Sequence, residues 1–147
     1  MPSPFITRRR VEFRDTDAAG IAHFSVFFPW MEQAEHEALR QLGLSVHSRR
    51  AEHTLSWPRV AARCEFHSPV RFEDEVQIEV RLIELGTKSV TYAFHFSCAG
   101  RSVATGRITA VCCQLREAGH WASVPIPADV ADRLKQLGGE APQTSHA

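Results

Sequence analysis

The sequence predicts an α+β fold in which one long apolar helix packs against an antiparallel sheet. Two observations support this. Apolar residues recur at helical spacing over residues 25–42, and from residue 60 onward they alternate with polar residues in successive stretches up to Leu115. A sheet with one apolar face must cover that face, and the chain supplies one helix long enough to do so.

The first part of the chain predicts a strand, a turn and the helix. A strand is expected over residues 6–14, followed by a turn of small residues at 18–20. The helix is expected over residues 25–42 and ends before Gly43. Pro29 predicts either an irregular first turn after an N-cap at Ser25 or a regular helix that begins at Pro29 itself.

The remainder predicts the sheet. Residues 44–57 contain no clear element, and four strands follow, the last being a long run over residues 103–115. A short helix is expected over about 128–137, and then a disordered tail. We expect a single domain over residues 1–147 with its core at about 6–116. A curved, five-stranded antiparallel sheet wrapped around one central helix is the hotdog fold, and its open edges predict pairing between copies.

Composition narrows the class of protein. Lys and Arg equal Asp and Glu at 17 each, so the chain lacks the basic excess of a nucleic-acid-binding protein. It contains neither an apolar run of the ~20 residues that cross a bilayer nor a signal peptide, and we therefore expect a cytoplasmic protein. The four cysteines lie in strand-like stretches and are expected to be buried and unpaired.

Four segments resemble one family. Residues 11–25, VEFRDTDAAGIAHFS, and residues 27–32, FFPWME, are similar to the signature of the 4-hydroxybenzoyl-CoA thioesterases, whose relatives include thioesterases associated with the Tol-Pal system. The similarity continues in residues 64–76, CEFHSPVRFEDEV, and 85–89, LGTKS, and covers roughly residues 8–116. The specific part is the Asp-x-Asp-x-x-Gly-Ile core followed by an aromatic helix.

The resemblance implies a hotdog fold and hydrolysis of acyl-CoA without metal or other cofactor, in a homodimer or a homotetramer built from two dimers. It identifies Asp17 as the catalytic carboxylate and the backbone N–H of Phe24 as the group that polarises the thioester carbonyl. Gly20 and Ile21 form the turn that the substrate approaches, and Lys88 and Ser89 match the region that contacts the CoA phosphates. Arg71 and Arg101 are further candidates for phosphate contacts.

The chemistry of these residues agrees with the resemblance. Thioester hydrolysis needs a group that attacks or activates water, and a donor for the negative charge on the carbonyl oxygen. A carboxylate supplies the first and the free N–H groups at a helix start supply the second. Whether Asp17 attacks the carbonyl or deprotonates water stays open. His23 either orients the water or lines the pocket, and some relatives carry a histidine where this chain has Phe24.

Other interpretations compete with this one. Asp17 could merely cap the turn and the following helix. Asp15 is expected to bond to backbone in the loop. The chain could also be a hotdog dehydratase of 3-hydroxyacyl thioesters, although it lacks a Gly-His-Phe-Pro-type motif, or a non-catalytic acyl-CoA-binding module. The histidines show no metal-ligand spacing, so no metal site is predicted.

Overall fold

A computed structural model describes residues 2–50, 53–116 and 119–138. Nine strands and two helices are present in this part of the chain. The strands are β1 (Phe5–Arg10), β2 (His47–Arg50), β3 (His53–Ser56), β4 (Arg59–Phe66), β5 (Glu75–Leu85), β6 (Ser89–Cys98), β7 (Arg101–Val111), β8 (Cys113–Leu115) and β9 (Trp121–Ser123). The helices are α1 (Phe27–Gln41) and α2 (Ala128–Leu134), and none in this part is both long and apolar enough to cross a membrane.

The main sheet has five antiparallel strands in the order β1-β5-β6-β7-β4. Its inner face carries the alternating apolar residues of β5 and β6, such as Ile78, Val80 and Phe94, which are fully buried. Helix α1 covers this face with Trp30, Met31 and other apolar residues in one core. The predicted hotdog fold is confirmed.

Helix α1 packs closely against the sheet at Gly106 in β7. A Cβ atom at this position would lie 2.4 Å from Sδ of Met31 and 3.2 Å from the carbonyl oxygen of Arg63. Real side chains do not approach that closely, so glycine at this position lets α1 settle onto the sheet.

The start of α1 resolves the two interpretations of Pro29 in favour of an irregular first turn. A 3-10 turn at Phe24–Val26 runs directly into α1, and Pro29 is the third residue of the helix proper. The first turn of a helix has no internal acceptor for its N–H groups, so the missing N–H of proline costs nothing there. The helix ends at Gln41, one residue earlier than predicted, and Gly43 follows its C-cap in the predicted role, with a φ of +76° that favours glycine.

Several predicted boundaries were wrong. Strand β1 ends at Arg10 instead of residue 14, because the chain turns into a 3-10 helix at Phe13–Asp15. The run over residues 103–115 is divided at Cys112, whose N–H bonds to the carbonyl of Lys88 and directs the chain into a second sheet. Helix α2 ends at Leu134, not at about 137. The predicted tail lies, from residue 139 onward, outside the described residues.

Residues 44–57 contain two strands where none was predicted. Strands β2 and β3 form a hairpin that joins β8 and β9 in a four-stranded sheet with the order β2-β3-β8-β9. Only Leu55 of β2 and β3 is fully buried. The hairpin therefore lacks the alternation that identifies a strand in a sequence, and its pairing depends on contacts with distant residues.

Helix α1 also buries one carboxylate that the helical pattern does not reveal. Glu35 is 1% exposed and accepts a hydrogen bond from Nη2 of Arg59, the first residue of β4. Burial raises the pKa of Glu35 from 4.5 to about 7 in spite of the attraction of the Arg59 guanidinium. The pair connects the middle of the helix to the edge strand of the sheet.

The raised pKa predicts that Glu35 makes stability depend on pH. The folded protein binds this proton more tightly than the unfolded chain. The contribution of protonated Glu35 to the free energy of unfolding is therefore complete below about pH 4.5 and is lost as pH rises through about 7. The loss is on the order of 3 kcal/mol. Urea unfolding from acid to mildly alkaline pH should show this loss in the native protein but not in Glu35→Gln.

Glu84→Gln is the matched control, because Glu84 is exposed on β5 and forms no hydrogen bond or ion pair within the described residues. Its unfolding free energy should follow the native pH profile. Parallel profiles for Glu35→Gln and the native protein would show that Glu35 does not carry this dependence.

Candidate active site

A tight loop between β1 and α1 presents Asp17. Thr16 and Ala22 pair as an isolated antiparallel bridge, and the N–H of Asp17 donates to the carbonyl of Ile21 at 2.9 Å. The N–H of Gly20 closes the turn onto the carbonyl of Asp17 at 2.9 Å. Gly20 has a φ of +79°, a conformation that glycine adopts without strain.

The carboxylate of Asp17 is half-buried and has two differently placed oxygens. Oδ1 accepts a hydrogen bond from the N–H of Ala19 at 2.8 Å, the usual local bond of an aspartate in a turn. Within the described residues Oδ2 accepts no hydrogen bond. Asp17 therefore does stabilise its turn, as the alternative interpretation proposed, but it does not cap the helix that follows. One carboxylate oxygen remains available to a substrate or to water.

The helix start is capped by His23 instead. Its Nδ1 accepts a hydrogen bond from the N–H of Ser25 at 3.2 Å and lies 2.8 Å from the Ser25 hydroxyl. The carbonyl of His23 accepts from the N–H of Val26 at 3.0 Å, and its own N–H donates to the carbonyl of Asp15 at 2.7 Å. These bonds fix the position of His23 and assign its Nδ1 to capping.

The N–H of Phe24 has no acceptor at this helix start among the described residues. It belongs to the first residue of the 3-10 turn, which has no acceptor within the turn, and no other described residue accepts from it. Because Thr16 pairs with Ala22, Phe24 lies within about 10 Å of Asp17. A carboxylate oxygen and a helix-start N–H on the two arms of one loop thus both lack a hydrogen-bond partner within the described residues.

Neighbouring segments hold this loop in place. Asp15 accepts a hydrogen bond from the N–H of Glu12 at 2.8 Å, which confirms its predicted structural role. The N–H of Ala22 donates to the carbonyl of Val70 at 2.8 Å, and Ile21 pairs with Arg71. The loop is thereby joined to the segment that leads into β5.

The two arginine candidates differ in their surroundings. Arg101 donates to the Ser68 hydroxyl at 3.1 Å and to the carbonyl of Pro69 at 3.0 Å, so its guanidinium holds the segment before β5. The side chain of Arg71 is exposed and makes no hydrogen bond or ion pair within the described residues. Of the two, Arg71 is the one with a guanidinium available to a phosphate.

Exposed aromatic rings surround the loop, and the alternating pattern of the sequence did not indicate them. Phe24 is 62% exposed and its ring lies 4.5 Å from that of His23. Phe13, which the pattern placed in a strand, is exposed on the 3-10 turn and packs edge-on against Phe72 at 5.9 Å. A surface of this kind suits an apolar or aromatic group of a ligand.

Lys88 and Ser89 lie at the other end of the sheet. They belong to the hairpin between β5 and β6, whereas the Asp17 loop pairs with residues just before β5. The eleven residues of β5 separate the two positions by roughly 33 Å. Lys88 is exposed, and its ammonium group has no partner within the described residues. A single chain therefore does not bring Lys88 and Ser89 close to Asp17.

In the described part of the chain, no group of three or more His, Cys, Asp or Glu side chains is arranged to hold a metal ion. The four cysteines are all free, and three of them are buried. Cys64, on the edge strand β4, is half-buried. Burial raises the pKa of the Cys64 thiol to about 11, so it stays protonated and unreactive near neutral pH.

Comparison with known proteins identifies the family. The model of the thioesterase-like superfamily matches residues 11–134. The chain belongs to this superfamily. The predicted resemblance to the 4-hydroxybenzoyl-CoA thioesterases and the predicted class, a thioester hydrolase, are therefore confirmed.

Relatives cover nearly the whole chain. A protein of Aquifex aeolicus (strain VF5), named only provisionally as an esterase, is 32% identical over 132 residues, which are 90% of this chain and 98% of that protein. The 1,4-dihydroxy-2-naphthoyl-CoA hydrolase of Thermosynechococcus vestitus is 30% identical over 136 residues, 91% of this chain and 90% of the relative. A solved gentisyl-coenzyme A thioesterase is 34% identical, with a TM-score of 0.76 over 88% of this chain and 98% of that one.

Proposed function

We propose that this thioesterase hydrolyses an acyl-CoA to the free acid and CoA, with Asp17 and the N–H of Phe24 as its catalytic groups. The observation that carries the proposal is that a carboxylate oxygen and a helix-start N–H occur in one loop and that both lack a hydrogen-bond partner within the described residues. The two match what the reaction needs, an attacking or activating group and a donor for the developing oxyanion.

Two routes use these groups. In the first, Oδ2 of Asp17 attacks the carbonyl carbon, the C–S bond breaks, the CoA thiolate leaves, and water hydrolyses the resulting anhydride. In the second, Asp17 takes a proton from water, the hydroxide adds to the carbonyl carbon, and the collapsing tetrahedral intermediate expels the thiolate. In both, the carbonyl oxygen becomes negative while the N–H of Phe24 donates to it. Single turnover in ¹⁸O-water distinguishes the routes, because only the first puts label into the Asp17 carboxylate.

The substrate that we propose carries an aromatic acyl group. Two relatives are named for 1,4-dihydroxy-2-naphthoyl-CoA and gentisyl-CoA, both with hydroxylated aromatic acyl groups. In this chain the exposed rings of Phe24, Phe13 and Phe72 stand around the Asp17 loop, where an aromatic acyl group can stack. Rates on 4-hydroxybenzoyl-CoA, hexanoyl-CoA and palmitoyl-CoA test this preference.

The open edge of the sheet supports a dimer. Both β1 and β4 are edge strands, but β1 carries three consecutive arginines that discourage further pairing. Strand β4 instead has Val60, Ala61 and Ala62 in its first half, all exposed. We propose that β4 pairs antiparallel with β4 of a second copy, and that two such dimers can form a tetramer.

This pairing would complete the site. The start of β4 lies at the Lys88 end of the sheet and its end lies at the Asp17 end, as the strand registers give. A two-fold axis through the middle of β4 reverses the second copy end for end. Its Lys88 and Ser89 then approach the Asp17 of the first, where the ammonium group can contact the CoA phosphates.

The location that we propose is the cytoplasm, because four unpaired cysteines suit a reducing compartment.

The main test is Asp17→Asn. Asparagine keeps an oxygen for the N–H of Ala19, so the turn should persist while the charge is lost. We expect kcat to fall by about 10²-fold to 10⁴-fold with KM little changed. Asp15→Asn is the control, because that side chain bonds only to backbone, and it should keep kcat within about threefold of the native value. Native turnover by Asp17→Asn would refute the role of Asp17.

The role of the Phe24 N–H is tested by replacing the residue with proline, which has no N–H. Proline is tolerated at the first position of a helix, and His23 before it already has an extended backbone with φ −66° and ψ 141°. We expect kcat to fall by about 10²-fold to 10³-fold, while the melting temperature changes little. Phe24→Ala keeps the N–H and removes only the ring. Equal losses of kcat in the two variants would mean that the ring, not the N–H, carries the effect.

The shared site is tested by mixing two defective variants. Lys88→Ala should raise KM for acyl-CoA, and Lys135→Ala, at the exposed C-cap of α2, should not. If Lys88 serves the Asp17 of a second copy, Asp17→Asn and Lys88→Ala refolded together at equal amounts should recover about one quarter of the native sites. A mixture with no more activity than its components would place Lys88 and Asp17 in separate functions.

A further inference from the structure

A cavity of about 300 Å³ lies at the end of α1 that is remote from Asp17. Its walls come from the last turn of the helix, the β2–β3 hairpin, β6 and α2. The twelve residue-to-residue steps from Phe27 to Leu39 put it roughly 18 Å along the helix from the Asp17 loop. The volume is at the lower end of the range for small-molecule sites, about 300–1,000 Å³.

The inner wall of this cavity is apolar. Leu39, Leu55 and Leu134 line it and are all almost fully buried, and the half-buried ring of Trp57 adds to the same wall. The side chains come from elements distant in the sequence and meet without filling the space between them. A closed apolar wall of this kind accepts the body of a small apolar or aromatic molecule.

One polar group interrupts the apolar wall. Tyr92 of β6 lines the cavity and is 2% exposed, and its hydroxyl has no hydrogen-bond partner within the described residues. The hydroxyl is not fully enclosed by protein, so we infer that it reaches the cavity. A buried tyrosine normally satisfies its hydroxyl, because an unmade bond is costly. Burial, with the negative charge of Glu35, raises the pKa of Tyr92, which keeps the hydroxyl protonated and able to donate.

The mouth of the cavity is positively charged. Three arginines and one aspartate line it, namely Arg49, Arg50, Arg133 and Asp129. Arg50 pairs with Asp129 at 2.9 Å, and Arg133 donates to the carbonyls of Leu42 and Gly43 at the end of α1. Arg49 makes no ion pair or hydrogen bond within the described residues. One guanidinium is therefore free to bind an anion at the mouth.

We propose that this cavity binds a hydroxylated aromatic carboxylate at a site separate from the Asp17 loop. The carboxylate would lie at the mouth against Arg49, the ring between the leucines, and the hydroxyl at the inner end against Tyr92. Tyr92 is buried and Arg49 is exposed, so the cavity offers a hydroxyl within its wall and a guanidinium at its mouth. This combination matches a ligand polar at both ends and apolar between them. The inference does not depend on the proposed hydrolysis, because it concerns binding of a free acid and not cleavage of a thioester.

The test compares 4-hydroxybenzoate with benzoate by isothermal titration calorimetry, with no thioester present. The native protein should bind 4-hydroxybenzoate about threefold to tenfold more tightly than benzoate, the difference that one hydrogen bond makes. Tyr92→Phe, which removes only the hydroxyl, should bind the two acids equally. Arg49→Gln should weaken both by about tenfold, because each acid loses its charged partner. Melting temperatures confirm that the variants are folded.

Asp17→Asn decides where the acid binds. Because Asp17 lies at the other end of α1, this variant should keep the native affinity for 4-hydroxybenzoate and the preference over benzoate. Loss of binding in Asp17→Asn, with native binding in Tyr92→Phe, would place the acid at the Asp17 loop and overturn the proposal. Failure of the native protein to bind either acid would overturn it as well. Neither result bears on whether acyl-CoA is hydrolysed, which the kcat of Asp17→Asn measures separately.

Discussion

The burial of α1 in the concave face of the five-stranded sheet is the packing on which the other features of the fold depend. Met31 and Ala34 are completely buried, and Gly106 in β7 has no side chain that would hold the helix away. Protein interiors are close-packed, so a helix seated in this way has little freedom to slide or rotate. Its first turn is therefore held in place beside the loop of Asp17, and its last turn forms one wall of the second cavity.

The same helix carries a polar residue whose burial opposes folding. The energy of placing the Glu35 carboxylate in the core exceeds the attraction of Arg59, as its raised pKa indicates. Replacement of such pairs by apolar residues is often neutral or stabilising in proteins. What the pair provides here is a fixed connection between the centre of the helix and the start of β4, the edge at which we propose that two copies meet.

The Asp17 loop shows how local hydrogen bonds can leave chemically useful groups unengaged. Its turn uses one oxygen of Asp17, and the helix start uses Nδ1 and the carbonyl of His23. What remains is one carboxylate oxygen and one backbone N–H, the groups that we propose as base or nucleophile and as oxyanion donor. Because backbone pairing holds both, little reorganisation is needed when the charge develops, and this is the main source of electrostatic catalysis.

Much of this architecture could be predicted from the sequence, because it follows from local patterns. The helical spacing identified α1, and alternation identified β4 to β7, since each pattern directly reflects burial of one face. The turn of small residues located the loop, and the resemblance identified Asp17 within it. Chain turns were predicted less well. The division at Cys112, for example, coincides with a backbone bond to Lys88, which is distant in the sequence.

The sequence by itself thus determined the fold class, the family and the identity of the candidate carboxylate, because these are carried by periodicity and by one contiguous motif. Only the tertiary structure decided that His23 caps the helix, that the N–H of Phe24 is left free, and that Lys88 lies at the far end of the sheet from Asp17. It alone revealed the buried Glu35 and the cavity lined by Tyr92. The reason is physical. Whether a polar group is buried, bonded or free depends on which distant segments fold against it, and neither composition nor spacing records those contacts.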